Sequence, residues 1–507
     1  MNDRRLLLAL SVVAFGMAVA LALGPLQGLA HVSDEVAYTL QAKLFAAGMR
    51  TGPPADEPSM MLYPFWQAAP RSYAVFPPGW PLLLALGVAV GLPWLVNALL
   101  AAALPPLTWL LARAWDRDED EARLAATVAA LSPGIVLLAG SRMPHTSVLV
   151  ALLGAVVVVE RRTDGARAWI AAALGLSYVV LARPFDALLL AGPLVLLGLW
   201  RSRGQLGRGV QAAWVLLPAA AAALVLLDNQ HLTGHALSFP VGPWYDQWVA
   251  DQGRPPGCNA LGFGASHGCV PVFGSWGHSP QKAARIAGET LLLLDRFLLG
   301  LPGGLLVALV GALRVRRLAV PAWLTAAVIL GYALYWSPGN VFGARFYHPL
   351  YVFLPIWVAA GLSVLPAFLR GWVPAVLLGL GCLVGLGRAA VQLMGGYWCV
   401  DGRVAGLLSD AHIDQGVVFL QGGGTRTAGW PWLGRDELVC DPLLASGSAF
   451  QLDDPTRQQG GLQLRHSLSS IAEDQAFMAR YHPGARAWLL VHDLSTDHYR
   501  LQEIPAQ

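Results

Sequence analysis

The chain opens with LLLALSVVAFGMAVALALGPLQGLA from Leu6 to Ala30, and HVSDEVAYTLQAK from His31 to Lys43 follows directly. The first part is an uncharged apolar run that is long enough to cross a bilayer as a helix. It is too long for a signal-peptide core, so we expect a retained membrane anchor. The second part places Asp34 and Glu35 side by side where the chain leaves that anchor. Because carboxylates at a membrane boundary lose hydration, this pair predicts a function.

The composition extends the membrane assignment to most of the chain. The 507 residues are 55% hydrophobic and only 13% charged, whereas a soluble protein carries about 25% charged residues. Apolar runs of spanning length recur, and we expect a mainly α, polytopic membrane protein of about eleven transmembrane helices. The predicted spans are 6–29, 94–112, 122–140, 147–159, 168–182, 186–200, 210–227, 298–313, 319–336, 347–366 and 372–393.

Arginine placement predicts the orientation of these spans. Basic residues fall in alternate loops, for example Arg4 and Arg5, then Arg113, then Arg314, and such loops stay in the cytoplasm. The N-terminus is then cytoplasmic and the C-terminus lies on the outer side. No basic face with interleaved aromatic residues occurs, so we expect no nucleic-acid partner.

Two domains are predicted. Residues 1–397 form the transmembrane domain, with outer loops 30–93 and 228–297. Apolar residues recur at helical spacing after Asp34, which predicts a helix lying flat on the membrane surface, and the short run 80–92 is also expected at the interface. Residues 398–507 are richer in charge and their apolar runs shorten to strand length, so we expect a small α/β domain outside the membrane.

The predicted outer side also collects the residues that suit catalysis. A carboxylate there can deprotonate an acceptor, so Asp34 is a candidate base and Glu35 its neighbour, although the pair could simply be favourable charges in a helix first turn. Guanidinium groups match phosphate, and the candidates, which could instead anchor lipid headgroups, are Arg71, Arg142, Arg183 and Arg345. Further candidate contacts to substrate or metal are Tyr38, Lys43, His145, Asp186 and His348. For the two histidines, an ordinary interfacial hydrogen bond is the alternative.

The cysteines agree with this sidedness. Cys258 and Cys269 share one predicted outer loop, and Cys399 and Cys440 share the outer C-terminal part. Because an oxidising compartment favours disulfides, we expect bridges 258–269 and 399–440, with free buried thiols as the alternative.

Several short motifs together resemble the GT-C membrane glycosyltransferases, in the family 39-like group that contains the aminoarabinose transferases of lipid A and the protein O-mannosyltransferases. The motifs cover about 400 residues in order and on one predicted side of the membrane. They are Asp34-Glu35-x-x-Tyr38, Phe76-Pro77-Pro78-Gly79-Trp80-Pro81, Ser132-Pro133, Ser141-Arg142-Met143, Arg183-Pro184, Asn259 to Gly264, Gly277 to Pro280 and Gly343-Ala344-Arg345-Phe346.

The resemblance implies a hexosyl- or pentosyltransferase that takes a sugar from a polyprenyl-phosphate donor. The acceptor would be a lipid, glycan or protein at the periplasmic or extracellular face of a bacterial inner membrane. Asp34 would be the base, Glu35 its support, and Arg142 and Arg345 would face the donor phosphate. Relatives often carry an Asp shortly after the Ser-Arg-Met motif, whereas His145 stands there in this chain. The requirement for a divalent cation therefore stays open, and no other cofactor is implied.

Two other functions are compatible with many spans. A transporter or flippase of lipid-linked sugars would show internal repeats and polar residues near the midplane, whereas the span interiors here are Leu, Ala and Val. A polysaccharide polymerase or ligase shares the carrier-linked donor but is expected to lack an acid pair directly after the first helix.

Overall fold

The computed structural model describes residues 3–161, 165–203, 206–456, 461–468 and 470–505. Its helices are α1 (Asp3–Leu23), α2 (Ser33–Ala46), α3 (Gly79–Ala89), α4 (Leu95–Ala101), α5 (Leu104–Ala114), α6 (Glu119–Leu131), α7 (Pro133–Gly140), α8 (His145–Arg161), α9 (Ala166–Ala182), α10 (Pro184–Asp186), α11 (Gly192–Arg201), α12 (Arg208–Thr233), α13 (Val241–Ala250), α14 (Pro280–Leu299), α15 (Gly304–Ala312), α16 (Ala319–Ala333), α17 (Leu354–Leu362), α18 (Ala367–Arg370), α19 (Val373–Met394), α20 (Arg403–Asp410), α21 (Pro442–Ala445), α22 (Gly447–Phe450) and α23 (Ile471–Tyr481). The strands are β1 (Trp66–Gln67), β2 (Tyr73–Ala74), β3 (Gly416–Gly423), β4 (Arg426–Trp430), β5 (Arg435–Cys440), β6 (Leu462–His466), β7 (Ala487–Asp493) and β8 (His498–Ile504).

The mainly helical class agrees with the prediction, but the count of eleven spans is not confirmed. Among the described residues, five helices are long and apolar enough to cross a membrane, or seven if each of two bent pairs is one span. The pair α6 and α7 bends by 44° at Pro133, and α14 and α15 bend by 86°. Proline removes a helical hydrogen bond, and Gly300 and Gly303 adopt positive φ between α14 and α15. Hydropathy alone does not register these breaks.

The compact units also divide the chain differently from the predicted domains 1–397 and 398–507. The helical unit comprises Met1–Leu21, Pro77–Trp80 and Asn97–Ala390, and the mixed unit comprises Ala22–Phe76, Pro81–Val96 and Val391–Gln507. Most of the predicted outer loop 30–93 therefore belongs with the C-terminal residues. A boundary drawn along the sequence cannot capture a unit that is assembled from separate segments.

Small residues allow close helix contact in the helical unit. A Cβ on Gly311 of α15 would lie 1.7 Å from the carbonyl oxygen of Trp357 in α17, and one on Gly361 of α17 would lie 2.1 Å from that of Val307. Only glycine permits this approach, which lets the two helices gain van der Waals contact.

The mixed unit is built on a four-stranded sheet in the order β6-β3-β7-β8. β3 runs parallel to β6 and β7, and β7 runs antiparallel to β8. Alternate residues of β3 face opposite sides, so Val418 and Leu420 join the core that contains α2, and Val417 and Phe419 join the core that contains α23.

The environment of α2 corrects the prediction of a helix lying flat on the membrane surface. Val36, Ala37, Leu40 and Leu44 are fully buried in the core of the mixed unit. Its polar residues Thr39 and Gln41 are buried too, and their side chains make hydrogen bonds within the protein. The helical spacing of polar residues in α2 therefore did not indicate a face exposed to solvent or to the membrane surface.

Candidate active site

Asp34 is presented at the beginning of α2 in the mixed unit. Every other residue from Ala30 to Ala42 is buried, and Asp34 alone in this stretch is partly exposed. The helix begins at Ser33 after Val32, which places Asp34 in the first turn, where backbone N–H groups favour a negative charge. A carboxylate that remains accessible on an otherwise buried segment is well placed to meet a ligand.

Glu35, by contrast, is directed inward. Its side chain is 1% exposed, and Oε2 accepts the backbone N–H of His31 at 2.9 Å and that of Val32 at 3.0 Å. These contacts satisfy two amides that the start of a helix would leave without acceptors. Glu35 therefore holds the backbone of the turn that precedes Asp34.

Tyr63 closes the opposite side of this turn. Burial raises the pKa of the Tyr63 phenol, which also meets the Ser33 hydroxyl and lies within electrostatic range of Asp34 and Glu35. The phenol consequently stays neutral beside the two acids. A Cβ on Gly447 would lie 2.5 Å from the Tyr63 hydroxyl, so glycine is required there to leave room for it.

Lys43 and Tyr38 lie further along α2 and are engaged with the protein. Lys43 Nζ donates to the carbonyl oxygens of Gln451 at 2.8 Å and Asp453 at 2.5 Å. The Tyr38 ring is 7% exposed and packs against Phe76 with ring centroids 4.7 Å apart. These positions favour a structural role over the predicted contact to substrate or metal.

Arg183 is the centre of a second cluster, in the helical unit. It follows the last residue of α9, and its Nε donates to the Asp186 carboxylate in α10. Nη1 donates to His145 Nε2 at 2.9 Å, and Nη2 donates to the Tyr332 hydroxyl at 2.7 Å. The Tyr332 hydroxyl in turn donates to Asp186. The guanidinium plane is thus fixed on three edges.

His145, His348 and Arg345 complete this cluster. The two imidazole rings are edge to face with centroids 6.3 Å apart, and both residues are at most 2% exposed. His348 interacts with the backbone of His145, but neither of its ring nitrogens makes a hydrogen bond of normal geometry with a described residue, and His145 Nδ1 also lacks one. Arg345 lies within electrostatic range of His145, and its guanidinium stands over the Phe346 ring at 5.1 Å. Buried polar atoms without a hydrogen-bond partner call for an explanation, such as a bound water or ion.

Arg142 lies on the turn between α7 and α8, three residues before His145. Trp80 donates its indole N–H to the Arg142 carbonyl oxygen at 2.7 Å, and Asn97 Nδ2 donates to the carbonyl oxygens of Ser141 at 2.7 Å and Met143 at 2.8 Å. The Phe76–Pro81 motif therefore has a structural role, because its Trp80 side chain is bonded to the turn that carries Arg142. Arg142 is 7% exposed.

Arg71 belongs to the mixed unit. It is exposed there, between β1 and β2. Its predicted contact with the donor phosphate gains no support from burial and stays a prediction.

The cysteines pair as the sequence predicts. Cys258 is bonded to Cys269 and Cys399 to Cys440, while Cys382 is a free thiol. The second bridge fixes the short 3-10 segment Tyr397–Cys399, which contains two residues with positive φ, against β5.

The described residues offer no protein cage for a divalent cation. Among them, no group of three or more His, Cys, Asp or Glu side chains converges in a way that could hold a metal ion. Next to His145 stand the cations Arg183 and Arg345, which suit an anion better than a metal.

Three residues of the two clusters were not predicted from the sequence. Tyr332 lies in the apolar helix α16 and reads as a membrane-facing aromatic residue, and Tyr63 lies in a loop without helical spacing. His31 lies three residues before Asp34 and could have been noticed for that position alone.

Comparisons with known proteins agree at the level of the fold. No family model and no curated protein matches the chain. The crystal structure of ArnT from Cupriavidus metallidurans in the apo state matches with a TM-score of 0.51 at 13% identity, over 97% of this chain and 93% of that one. The same protein bound to undecaprenyl phosphate matches with a TM-score of 0.46 at 13% identity, over 90% and 77%. The archaeal oligosaccharyltransferase AglB from Archaeoglobus fulgidus, in complex with an inhibitory peptide and a dolichol-phosphate, matches with a TM-score of 0.41 at 13% identity.

The match with AglB covers 77% of this chain but only 56% of the AglB chain. The ArnT match covers nearly the whole of both chains, and the fold statement rests on it. The resemblance to the GT-C membrane glycosyltransferases is therefore confirmed for the fold.

Proposed function

We propose that this protein is a membrane glycosyltransferase that moves a sugar from a polyprenyl-phosphate donor to a lipid, glycan or protein acceptor. The observation that carries the proposal is the buried cluster of Arg183, His145 and His348, in which His145 Nδ1 makes no hydrogen bond with a described residue and stands beside a fixed guanidinium. A phosphate would supply the acceptor oxygens that these donors require.

The donor phosphate is assigned to the beginning of α8. His145 is the first residue of this helix of 17 residues, and its N-terminal backbone amides carry the positive end of the helix dipole. Arg183 is held in a fixed plane, so it can bind phosphate oxygens without losing side-chain freedom on binding. Arg345 and Arg142 would add charge that stabilises the phosphate as it leaves the sugar.

The base is assigned to Asp34. Its carboxylate is the accessible group of an otherwise buried turn, and Glu35 and Tyr63 hold that turn. Asp34 would take the proton of the acceptor hydroxyl or amine as the acceptor attacks the anomeric carbon and the bond to the phosphate breaks. The two clusters thus receive separate chemical tasks.

The reaction is placed at the periplasmic or extracellular face of a bacterial inner membrane. Both disulfides support this side, because such bonds persist in oxidising compartments. The arginine distribution supports a cytoplasmic N-terminus and an external C-terminal part. If a divalent cation takes part, no described cluster marks where it would bind.

Deletion of the gene combined with mass spectrometry of the envelope glycans and glycoproteins tests the proposal. We expect the deletion to remove one sugar mass from one class of acceptor, and the wild-type gene to restore it. Asp34→Asn should fail to restore it, because loss of a general base lowers the rate by about 10²–10⁴-fold. Equal amounts of folded membrane protein must be verified for both forms. Near-normal glycosylation by Asp34→Asn would refute the base assignment, and an unchanged glycan profile after deletion would refute the transfer activity.

A further inference from the structure

His31 occupies an unusual position just before the candidate base. It lies between α1 and α2, and only 2% of the residue is exposed. Its ring Nδ1 is 3.0 Å from the carbonyl oxygen of Tyr397, and its ring Nε2 is 3.1 Å from the carbonyl oxygen of Leu26. Both ring nitrogens therefore face groups that can only accept hydrogen bonds.

This geometry favours a ring that carries a proton on both nitrogens. A neutral imidazole carries one N–H, so its other nitrogen would direct a lone pair at a carbonyl oxygen, which is repulsive. Only the imidazolium donates at both positions. The two carbonyl groups are themselves held in place, because Leu26 also accepts from the Leu29 amide at 2.9 Å and Tyr397 from the Val400 amide at 3.3 Å.

A buried cation needs a compensating anion nearby. The Glu35 carboxylate is bonded to the His31 backbone amide, and Asp34 lies in the same turn. From the C-terminal segment, the Tyr397 ring faces His31 at a centroid distance of 6.4 Å, and Arg435 interacts electrostatically with Tyr397. The ring thus meets two carbonyl dipoles, and the backbone of the same residue is bonded to the Glu35 carboxylate.

We propose that His31 is a positioning residue that acts as a buried imidazolium. Its two ring bonds attach the turn after α1 to the segment Tyr397–Cys399, and Glu35 closes the same turn from within. Asp34, three residues after His31, is thereby presented at one fixed place. The effect of these His31 hydrogen bonds on catalysis rests on the function proposed above, whereas the charge of the His31 ring does not.

Nitrogen NMR of the ring tests the charge directly. The full-length wild-type protein, labelled with ¹⁵N-histidine in nanodiscs, is compared with a His31→Gln sample to assign the two resonances. We expect both ring nitrogens of His31 to show protonated shifts at neutral pH, and one to deprotonate when the pH is raised. A neutral ring at neutral pH would overturn the proposal, whether or not the protein is a transferase.

Variants test the positioning role. His31→Phe removes both donors, and we expect kcat to fall by about 10–100-fold, the effect of misplacing a reacting group by about 1 Å, with the donor KM within about twofold of wild type. His31→Lys restores a cation that can donate to both carbonyl groups, so it should recover most of the rate and keep it at alkaline pH, where the wild type declines. His498→Gln, an exposed histidine in the same unit, is the matched control.

A purely structural role gives a different result. His31→Phe would then lower the yield and the thermal stability while kcat per folded molecule stayed at the wild-type value, and that outcome would overturn the positioning role. If Asp34→Asn also transfers sugar normally, the base assignment fails separately, and the NMR result still decides the charge of His31.

Discussion

Replacing Glu35 separates the two neighbouring acids more sharply than any other change. The Glu35 carboxylate accepts two buried backbone amides, from His31 at 2.9 Å and Val32 at 3.0 Å. Glu35→Ala leaves both amides buried without an acceptor, and each such loss costs about 1–3 kcal/mol. We therefore expect the free energy of unfolding to fall by about 2–6 kcal/mol. Glu35→Gln keeps a side-chain oxygen at the same place, so its loss should be no more than about half as large.

Thermal unfolding in nanodiscs and sugar transfer per folded molecule measure the two effects. Glu35→Gln should retain most of its turnover, whereas Asp34→Asn should retain its stability and lose its turnover. The opposite pattern, a stable Glu35→Gln without turnover, would identify Glu35 as the reacting acid. A Glu35→Ala protein as stable as the wild type would refute the account of the turn.

Two further changes test the remaining clusters. Arg345→Ala should raise the apparent donor KM by about 10–100-fold, since a charge-assisted bond to phosphate contributes about 1.5–3 kcal/mol, and an unchanged donor dependence relative to the exposed control Arg370→Ala would remove Arg345 from the site. Lys43→Met should lower the free energy of unfolding by about 1–3 kcal/mol through the loss of its bonds to Gln451 and Asp453. Loss of turnover at full stability in Lys43→Met would instead support the predicted substrate contact.

The convergence of Arg183, His145, Asp186 and His348 could be foreseen from the sequence. Each lies at or beyond one end of a predicted span, and alternate ends of consecutive spans meet on one side of a membrane. The distances within the cluster could not be foreseen, because Tyr332 contributes from an apolar helix whose pattern gives no sign of a polar task.

The environment of α2 could not be predicted from the sequence for a different reason. Periodicity reports which residues share a face, but not what covers that face. Here the partners of Lys43 are 408 and 410 residues away along the chain. Breaks such as those at Pro133 and Gly300 are likewise local events, which an average over a window of hydropathy removes.

The pair of hydrogen bonds between Ala30 and Gln451 has a consequence for the synthesis of the protein. The Gln451 side chain accepts the Ala30 amide at 2.8 Å and donates to the Ala30 carbonyl oxygen at 3.1 Å, across 421 positions. During translation, the segment that carries Asp34 leaves the ribosome long before these partners exist. If the proposed function holds, chains that end before Gln451 lack these two bonds and should show less transfer activity than the full chain.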